Sequence, residues 1–215
     1  MVIGCTGQDG ALLCKSLLQK GKNVIGTSRK NISEPENHKK LEIAGQVPVY
    51  SVSLQNSIEI LDLIKKVEPE HIYNFSAQSS VGSSFENPKE THNSIVEATS
   101  NLLEACRDIK YEGKIFFSGS GDIFGDTHHP AQLKSRINIK SPYAAAKYQS
   151  LILTKLYKEI YGIQAITGIF FNHESFLRNK NFVTQKIILG AIECSRDKNK
   201  KITLGNIDIA RDWGC

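Results

Sequence analysis

Two short stretches of this chain carry side chains that could move protons. The first is Tyr143-Ala144-Ala145-Ala146-Lys147. On a helix, residues four apart lie one turn apart on the same face, so the phenol and the ammonium emerge together. A neighbouring cation favours phenolate over phenol and lowers the tyrosine pKa, as an acid–base tyrosine working near neutral pH requires. Of the seven tyrosines, only Tyr143 has a lysine four residues further on. In a lysine-rich chain such a pair also arises by chance; its place after a predicted strand and behind Ser141-Pro142 gives it weight. The second stretch is Ser118-Gly119-Ser120-Gly121-Asp122-Ile123-Phe124-Gly125. Its small residues let a ligand come close, Ser120 can hydrogen-bond a substrate hydroxyl, and Asp122 can take a proton. The plainer alternative is a polar loop built of turn residues.

A third constellation lies near the start. Gly4-Cys5-Thr6-Gly7-Gln8-Asp9-Gly10 spaces three glycines three apart, between a short strand and a helix. The first glycine permits a tight turn, the second lets the backbone approach a pyrophosphate, and the third lets helix and strand pack closely. Amides at the start of the helix then face the phosphates. A bare glycine pattern is weak, and the strand–turn–helix context raises it to a dinucleotide site. Sites for NAD place an acid after the second strand, for the ribose 2′-hydroxyl. Here the residues are Thr27-Ser28-Arg29-Lys30, without an acid. An arginine there can pair with a 2′-phosphate, so Arg29 favours NADP over NAD; the alternative is a solvated basic loop.

The elements that must hold these residues alternate. Met1 to Ile3 reads as a very short strand, residues 10–20 as a helix with Leu13, Leu17 and Leu18 on one face, and Asn23 to Thr27 as a second strand. Gly21 ends the first helix. Val47 to Val52 reads as a strand, Ser57 to Val67 as a helix, His71 to Phe75 as a strand, and Glu90 to Asp108 as one long helix. Lys114 to Ser118 is a strand, Pro142 to Tyr161 a helix and Gln164 to Phe171 a strand; beyond about residue 175 the pattern thins to loops and a helix near 182–194. Such alternation predicts an α/β fold, a Rossmann-type doubly wound parallel sheet with helices on both faces and ligands beyond the C-terminal strand ends. Residues 1–170 are expected to form the NADP-binding domain and residues 171–215 part of a small C-terminal substrate lobe.

Composition is that of an ordinary globular chain. Of 215 residues, 40 % are hydrophobic and 23 % charged, enough for a sizeable core. The net charge of +5 is mild, and the densest basic run, Lys198-Asn199-Lys200-Lys201, reads as a solvated turn rather than a nucleic-acid footprint. Cys5, Cys14, Cys106, Cys194 and Cys215 are odd in number and form no CxxC pair, which argues against a disulfide framework and a structural zinc. With no long apolar run, no amphipathic surface helix and no signal peptide ahead of the first motif, a soluble cytoplasmic protein is expected, without nucleic-acid or membrane partners.

Taken together, these motifs resemble the extended short-chain dehydrogenase/reductases, and within them the GDP-mannose 4,6-dehydratase family. The resemblance runs through Gly4–Gly10 with Gln8-Asp9, and through Ile72-Tyr73-Asn74 with Ala77-Gln78-Ser79. It continues in Ser141-Pro142-Tyr143 with Ala145-Ala146-Lys147, Phe171-Asn172-His173-Glu174-Ser175, Asn181-Phe182-Val183-Thr184 with Lys186-Ile187, Leu204-Gly205-Asn206 with Asp208, and Arg211-Asp212-Trp213-Gly214. It implies a lyase of nucleotide-sugar metabolism, on the route to GDP-fucose, converting GDP-mannose to GDP-4-keto-6-deoxymannose by internal hydride transfer through NADP and loss of water. By motif position, Ser120 corresponds to the family's catalytic threonine and Asp122 to its glutamate, the base at C5. Tyr143 takes the C4 hydroxyl proton, and Lys147 holds the nicotinamide ribose and tunes Tyr143. Gly4, Thr6, Gly7, Gln8, Asp9, Gly10, Arg29, Ala77 and Gln78 fall at cofactor positions. Asn172, Glu174, Lys186, Gly205 and Arg211 fall at GDP-sugar positions. No metal is implied, since His173 and Glu174 are adjacent on a strand and point to opposite sides. A homodimer or homotetramer is implied.

Several residues depart from the family pattern. Asp122 is one methylene shorter than glutamate, and a misplacement near 1 Å costs on the order of 10²-fold in rate. Ser120 keeps the hydroxyl of threonine without its methyl, and Ser53 stands where the family usually has an aspartate near the adenine. A short first strand and an end just past Arg211-Asp212-Trp213-Gly214 lead to the expectation of truncation at both ends. Two alternatives stay open: an epimerase, dehydratase or reductase of another GDP-sugar such as a GDP-heptose, and a non-catalytic NADP-binding fragment. The elimination needs a base at C5 and a simple reductase does not, so Asp122 separates the first alternative from the dehydratase.

Overall fold

The computed structural model describes every residue of the 215 except Ser33, His128, Asn206 and Cys215. The sequence readings that touch Asn206 and Cys215 therefore lie outside the described residues. The chain divides into two compact units, Met1–Phe170 and Phe171–Cys215.

The first unit is built on six strands: β1 (Val2–Ile3), β2 (Gly26–Ser28), β3 (Val49–Ser51), β4 (His71–Asn74), β5 (Lys114–Ser120) and β6 (Ala165–Phe170). They pair in the order β3-β2-β1-β4-β5-β6, every pair parallel. This is the doubly wound order whose reversal, between β1 and β4, opens a crevice at the C-terminal strand ends. Among the described residues, seven α-helices connect the strands: α1 (Gln8–Gln19), α2 (Glu36–Lys40), α3 (Ser57–Val67), α4 (Val81–Glu86), α5 (Pro88–His92), α6 (Ala98–Asp108) and α7 (Pro142–Tyr161).

The core is aliphatic on one face of the sheet. Ile72 of β4 and Ile115 and Phe117 of β5 pack with Ile60, Leu63 and Ile64 of α3 and with Leu102, Leu103 and Cys106 of α6. Alternate residues turn the other way, and there Tyr73, Phe75, Phe116 and Phe170 form a chain of ring contacts with centroids 5.7–6.4 Å apart.

Local chemistry fixes several boundaries. Ser141 caps α7 by accepting from the Ala144 amide at 3.0 Å, Pro142 occupies its first turn, and Gly162 closes it at φ +70°. Asn56 caps α3, while Glu59 reaches back to the Ser53 amide and to Asn56 Nδ2. Ser53 thus belongs to a helix cap.

Several expected boundaries change, and β5 runs past the expected Ser118 to end at Ser120. The long helix over 90–108 starts at Pro88 and is interrupted by a π-helical turn at Asn93–Glu97, between α5 and α6. Thr91 and Ser94 there donate their hydroxyls to the carbonyls of Asn87 and Thr91, a local competition that accompanies bent helices. The second strand is Gly26–Ser28 rather than 23–27, the three residues that pair with Val49–Ser51 of β3. The third strand is Val49–Ser51 rather than 47–52. In α1 the buried residues are Gly10, Ala11 and Cys14, and Leu13, Leu17 and Leu18 are half-buried. Close approach of a helix to a sheet selects the small side chains for the contact line.

In the second unit, β7 (Asn172–His173) pairs in parallel with β8 (Trp213–Gly214), and α8 (Val183–Arg196) presents no fully buried residue. Lys198 to Lys201 is exposed around a turn, with the Asn199 amide bonded to the Asp197 carboxylate. Among the described residues, no helix is long and apolar enough to cross a membrane.

Candidate active site

Parallel strands put all their C-terminal ends at one edge, and the predicted residues of the first unit follow those ends. Gly4–Gly10 follows β1, Arg29 follows β2, Ala77 and Gln78 follow β4, Ser120 ends β5 and Asp122 lies in the turn after it. The glycines of the first turn are there for space and conformation. Gly4 has φ +77°, and a Cβ on it would lie 2.8 Å from the Ser76 amide nitrogen. A Cβ on Gly10 would collide with the Gly4 carbonyl and sit 2.8 Å from Cys5 Cα. At Gly7 a Cβ would meet only the Gly4 carbonyl, at 3.4 Å. Gly7 is the N-cap of α1 and, as a glycine, offers no capping side chain. An open approach to the start of a helix is the shape that a phosphate group fits.

Tyr143 and Lys147 stand together on α7, both buried, at 7 % and 6 % exposure. Ile95 of the π-helical turn, Ala146 and the half-buried Ala77 pack around the Tyr143 ring. The Lys147 ammonium lies 5.8 Å from the centre of that ring. Its Nζ donates to the Ser118 carbonyl at 2.8 Å and, more weakly, to Ser118 Oγ at 3.4 Å. Burial pulls the Lys147 pKa down from 10.5 to about 8, and the negative charge of Asp9 opposes part of that shift. Asp9 sits in the first turn of α1, so the glycine turn and the lysine share one electrostatic environment.

Ser120 and Asp122 are locked to each other. Ser120 Oγ donates to Asp122 Oδ2 at 3.1 Å and accepts from the Asp122 amide at 3.2 Å, capping a 3-10 turn over Gly121–Phe124. A substrate hydroxyl that reaches Ser120 must enter this exchange, which would place it beside the Asp122 carboxylate. Gln78 spends its amide on Ser80, donating to its carbonyl at 2.7 Å and accepting from its amide at 2.8 Å. Gln8 donates to Asp9 at 3.3 Å. Arg29 is exposed.

The second unit holds the remaining predicted residues, each in its own setting. Asn172 lies in β7 opposite Trp213. Glu174 accepts from Thr184 Oγ1 at 2.6 Å, and its other oxygen is 3.3 Å from Arg178 Nε, an ion pair at an angle outside hydrogen-bond geometry. The Arg178 guanidinium in turn covers the Phe182 ring at 3.7 Å. Lys186, Gly205 and Arg211 are exposed. A groove of about 660 Å³ lined by Ile64, Pro69, Ile109 and Tyr111 opens at the N-terminal ends of β4 and β5, away from the predicted residues of the first unit.

Two residues at the glycine turn escape sequence reasoning. Asn37 Nδ2 donates to the Thr6 carbonyl, and His38 Nε2 bonds the Cys5 carbonyl, each at 2.9 Å. Their spacing of 31 and 33 residues from the turn leaves no periodic trace. The only local signal is Pro35 followed by the acidic Glu36, a helix start.

The doubly wound parallel fold is that of the extended short-chain dehydrogenase/reductase class. The model of the family described as GDP-mannose 4,6 dehydratase matches residues 1–215. The chain is 34 % identical to the GDP-mannose 4,6-dehydratase of Sinorhizobium fredii, covering all of this chain and 64 % of the relative. It is also 34 % identical to GDP-mannose 4,6 dehydratase 1 of Arabidopsis thaliana, covering all of this chain and 62 % of the relative. The chain therefore belongs to the GDP-mannose 4,6-dehydratase family, and it spans less than two thirds of the length of these relatives. Among solved structures, the Thermus thermophilus UDP-glucose 4-epimerase, a complex with NAD, is similar in fold, with a TM-score of 0.85 at 24 % identity over 99 % of this chain and 68 % of that one.

Proposed function

We propose that the chain is a nucleotide-sugar 4,6-dehydratase that uses NADP to convert GDP-mannose to GDP-4-keto-6-deoxymannose. The observation that carries this reading is the whole-chain family match, joined to a buried Tyr143–Lys147 pair beside Ser120 and Asp122. Gly4–Gly10 with Ala77, Gln78 and Lys147 would hold the dinucleotide, and Arg29 its 2′-phosphate. When bound, its nicotinamide ring supplies the acceptance and return of a hydride. Tyr143 receives the proton of the C4 hydroxyl, and the Lys147 ammonium favours its phenolate form. Asp122 takes the C5 proton and passes it to the departing C6 hydroxyl, so that water leaves across C5 and C6, and Ser120 orients the sugar next to it. Asn172, Glu174, Lys186, Gly205 and Arg211 of the second unit are assigned to the GDP-sugar on motif position, with cations facing a pyrophosphate. The free thiols of Cys5, Cys14, Cys106 and Cys194 support a reducing, cytoplasmic setting. Asp122 favours the dehydratase over a simple reductase, which needs no base at C5.

The test is to incubate the purified chain with NADP and GDP-mannose and to follow the nucleotide sugar by mass spectrometry. A product lighter by one water is expected, and its loss in Asp122→Asn ties the step to this carboxylate. Unchanged GDP-mannose under conditions where the chain binds NADP would overturn the assignment.

A further inference from the structure

Two neighbouring side chains of α2 grip two neighbouring carbonyls of the glycine turn. Asn37 holds the Thr6 carbonyl and His38 the Cys5 carbonyl, both at 2.9 Å. A carbonyl only accepts, so His38 Nε2 carries a proton. The ring is 1 % exposed, and burial lowers its pKa, which favours the neutral form. Its own backbone is tied on both sides, the amide to the Pro35 carbonyl and the carbonyl to the Ile43 amide.

The consequence follows from peptide planarity. With a trans peptide, fixing a carbonyl in one direction sends the next residue's N–H the opposite way. His38 thereby sets the direction of the Thr6 amide, and Asn37 that of Gly7, which closes the turn onto the Gly4 carbonyl at 3.1 Å. The turn is also held from below. A Cβ on Gly26 would lie 2.8 Å from Cys5 Cβ, so the Cys5 side chain is seated against the bare backbone of β2. The turn is thus clamped between β2 and α2, with Asn37 and His38 on the helix, outside the sheet.

We propose that Asn37 and His38 are positioning residues that hold the Gly4–Gly10 turn in its nucleotide-binding shape before the nucleotide arrives. The inference rests on reading that turn as the dinucleotide phosphate site. Both residues act through the turn's backbone. Without them the binding-competent turn is only fractionally populated, and apparent affinity falls by that fraction.

The experiment titrates the full chain with NADPH, following the nucleotide's own fluorescence, and measures amide exchange over residues 1–12 without nucleotide. His38→Leu leaves a buried carbonyl without its donor, so a loss of affinity of about tenfold is expected, with faster exchange confined to the turn. His38→Gln keeps an N–H donor at a similar reach and should stay within about threefold of wild type. Asn37 is half-buried, so Asn37→Ala tests the same clamp, with about threefold weaker binding, even where His38→Leu does not fold. Equal losses in His38→Leu and His38→Gln, or unchanged binding in Asn37→Ala, overturn the inference alone. A wild-type chain that binds neither NADPH nor NADH overturns the cofactor reading and the inference with it.

Discussion

Lys147 makes the stability of the fold depend on pH in a way that can be worked out. Its ammonium is 6 % exposed and its pKa falls from 10.5 to about 8, with desolvation as the main cause. Below pH 8 the lysine is charged in both folded and unfolded chains, and the fold carries the full cost of burying the charge. Between 8 and 10.5 the folded lysine is neutral while the unfolded one still binds a proton, so stability rises with pH. A shift of 2.5 units, 10.5 minus 8, corresponds to about 3 kcal/mol at pH 7, of which about 2 kcal/mol is relieved by pH 9.5. Lys147→Met has no such titration. Relative to this variant, wild type should therefore gain about 2 kcal/mol between pH 7 and 9.5, whatever the variant loses by leaving the Ser118 carbonyl without its donor. Cys5, Cys14 and Cys106, pushed by burial from 9.0 to about 12, weaken the fold in the same pH range, but equally in both proteins, so the difference is free of them. Urea unfolding should be followed by far-UV circular dichroism, because the single tryptophan, Trp213, lies in the second unit. A difference between the two proteins that stays constant from pH 7 to 9.5 would refute the reasoning.

Two further outcomes are expected. Arg29→Ala should weaken NADPH binding by about tenfold or more while changing NADH binding little, since only the former loses a charge-assisted contact; equal losses in the two titrations would remove the 2′-phosphate role. Gly10→Ala should cost about 2–4 kcal/mol, because its Cβ collides with the backbone of Gly4, whereas Gly7→Ala should fold normally yet bind nucleotide poorly; the same urea melts and NADPH titrations check both, and a normal melt for Gly10→Ala would contradict the packing.

The parts of this molecule that were legible in sequence are those written in short-range chemistry. Helix α7 announces itself by Ser141-Pro142 at one end and Gly162 at the other, and Tyr143 and Lys147 share its face by arithmetic alone. The parallel order of strands followed from alternation, and with it the edge at which Ser120, Asp122 and the glycine turn gather. The rest depends on partners distant in sequence. Periodicity located an apolar face of α1, but which residues touch the sheet was decided by close approach, which favoured Gly10, Ala11 and Cys14 over the leucines. The extent of β2 matches its pairing with β3. The π-helical turn behind Tyr143 breaks a helix whose residues keep ordinary spacing on either side, and the Asn37–His38 clamp links positions that share no period with the turn they hold.

The same edge of the sheet explains why the fold tolerates an expensive residue. A methionine at position 147 would be cheaper to bury than an ammonium, and the Ser118 carbonyl and the more distant Asp9 offset only part of the cost. A cation kept dry 5.8 Å from the centre of the Tyr143 ring, and tied to the Ser118 carbonyl, is already in place when a ligand arrives and needs no reorganisation. Stability given up in the ligand-free chain is then a result of that placement. The ligand best suited to recover the loss is anionic, as a dinucleotide phosphate is, because it would raise the Lys147 pKa back toward its ordinary value. The pH-dependent gap between wild type and Lys147→Met should accordingly narrow when NADP is added at saturating concentration.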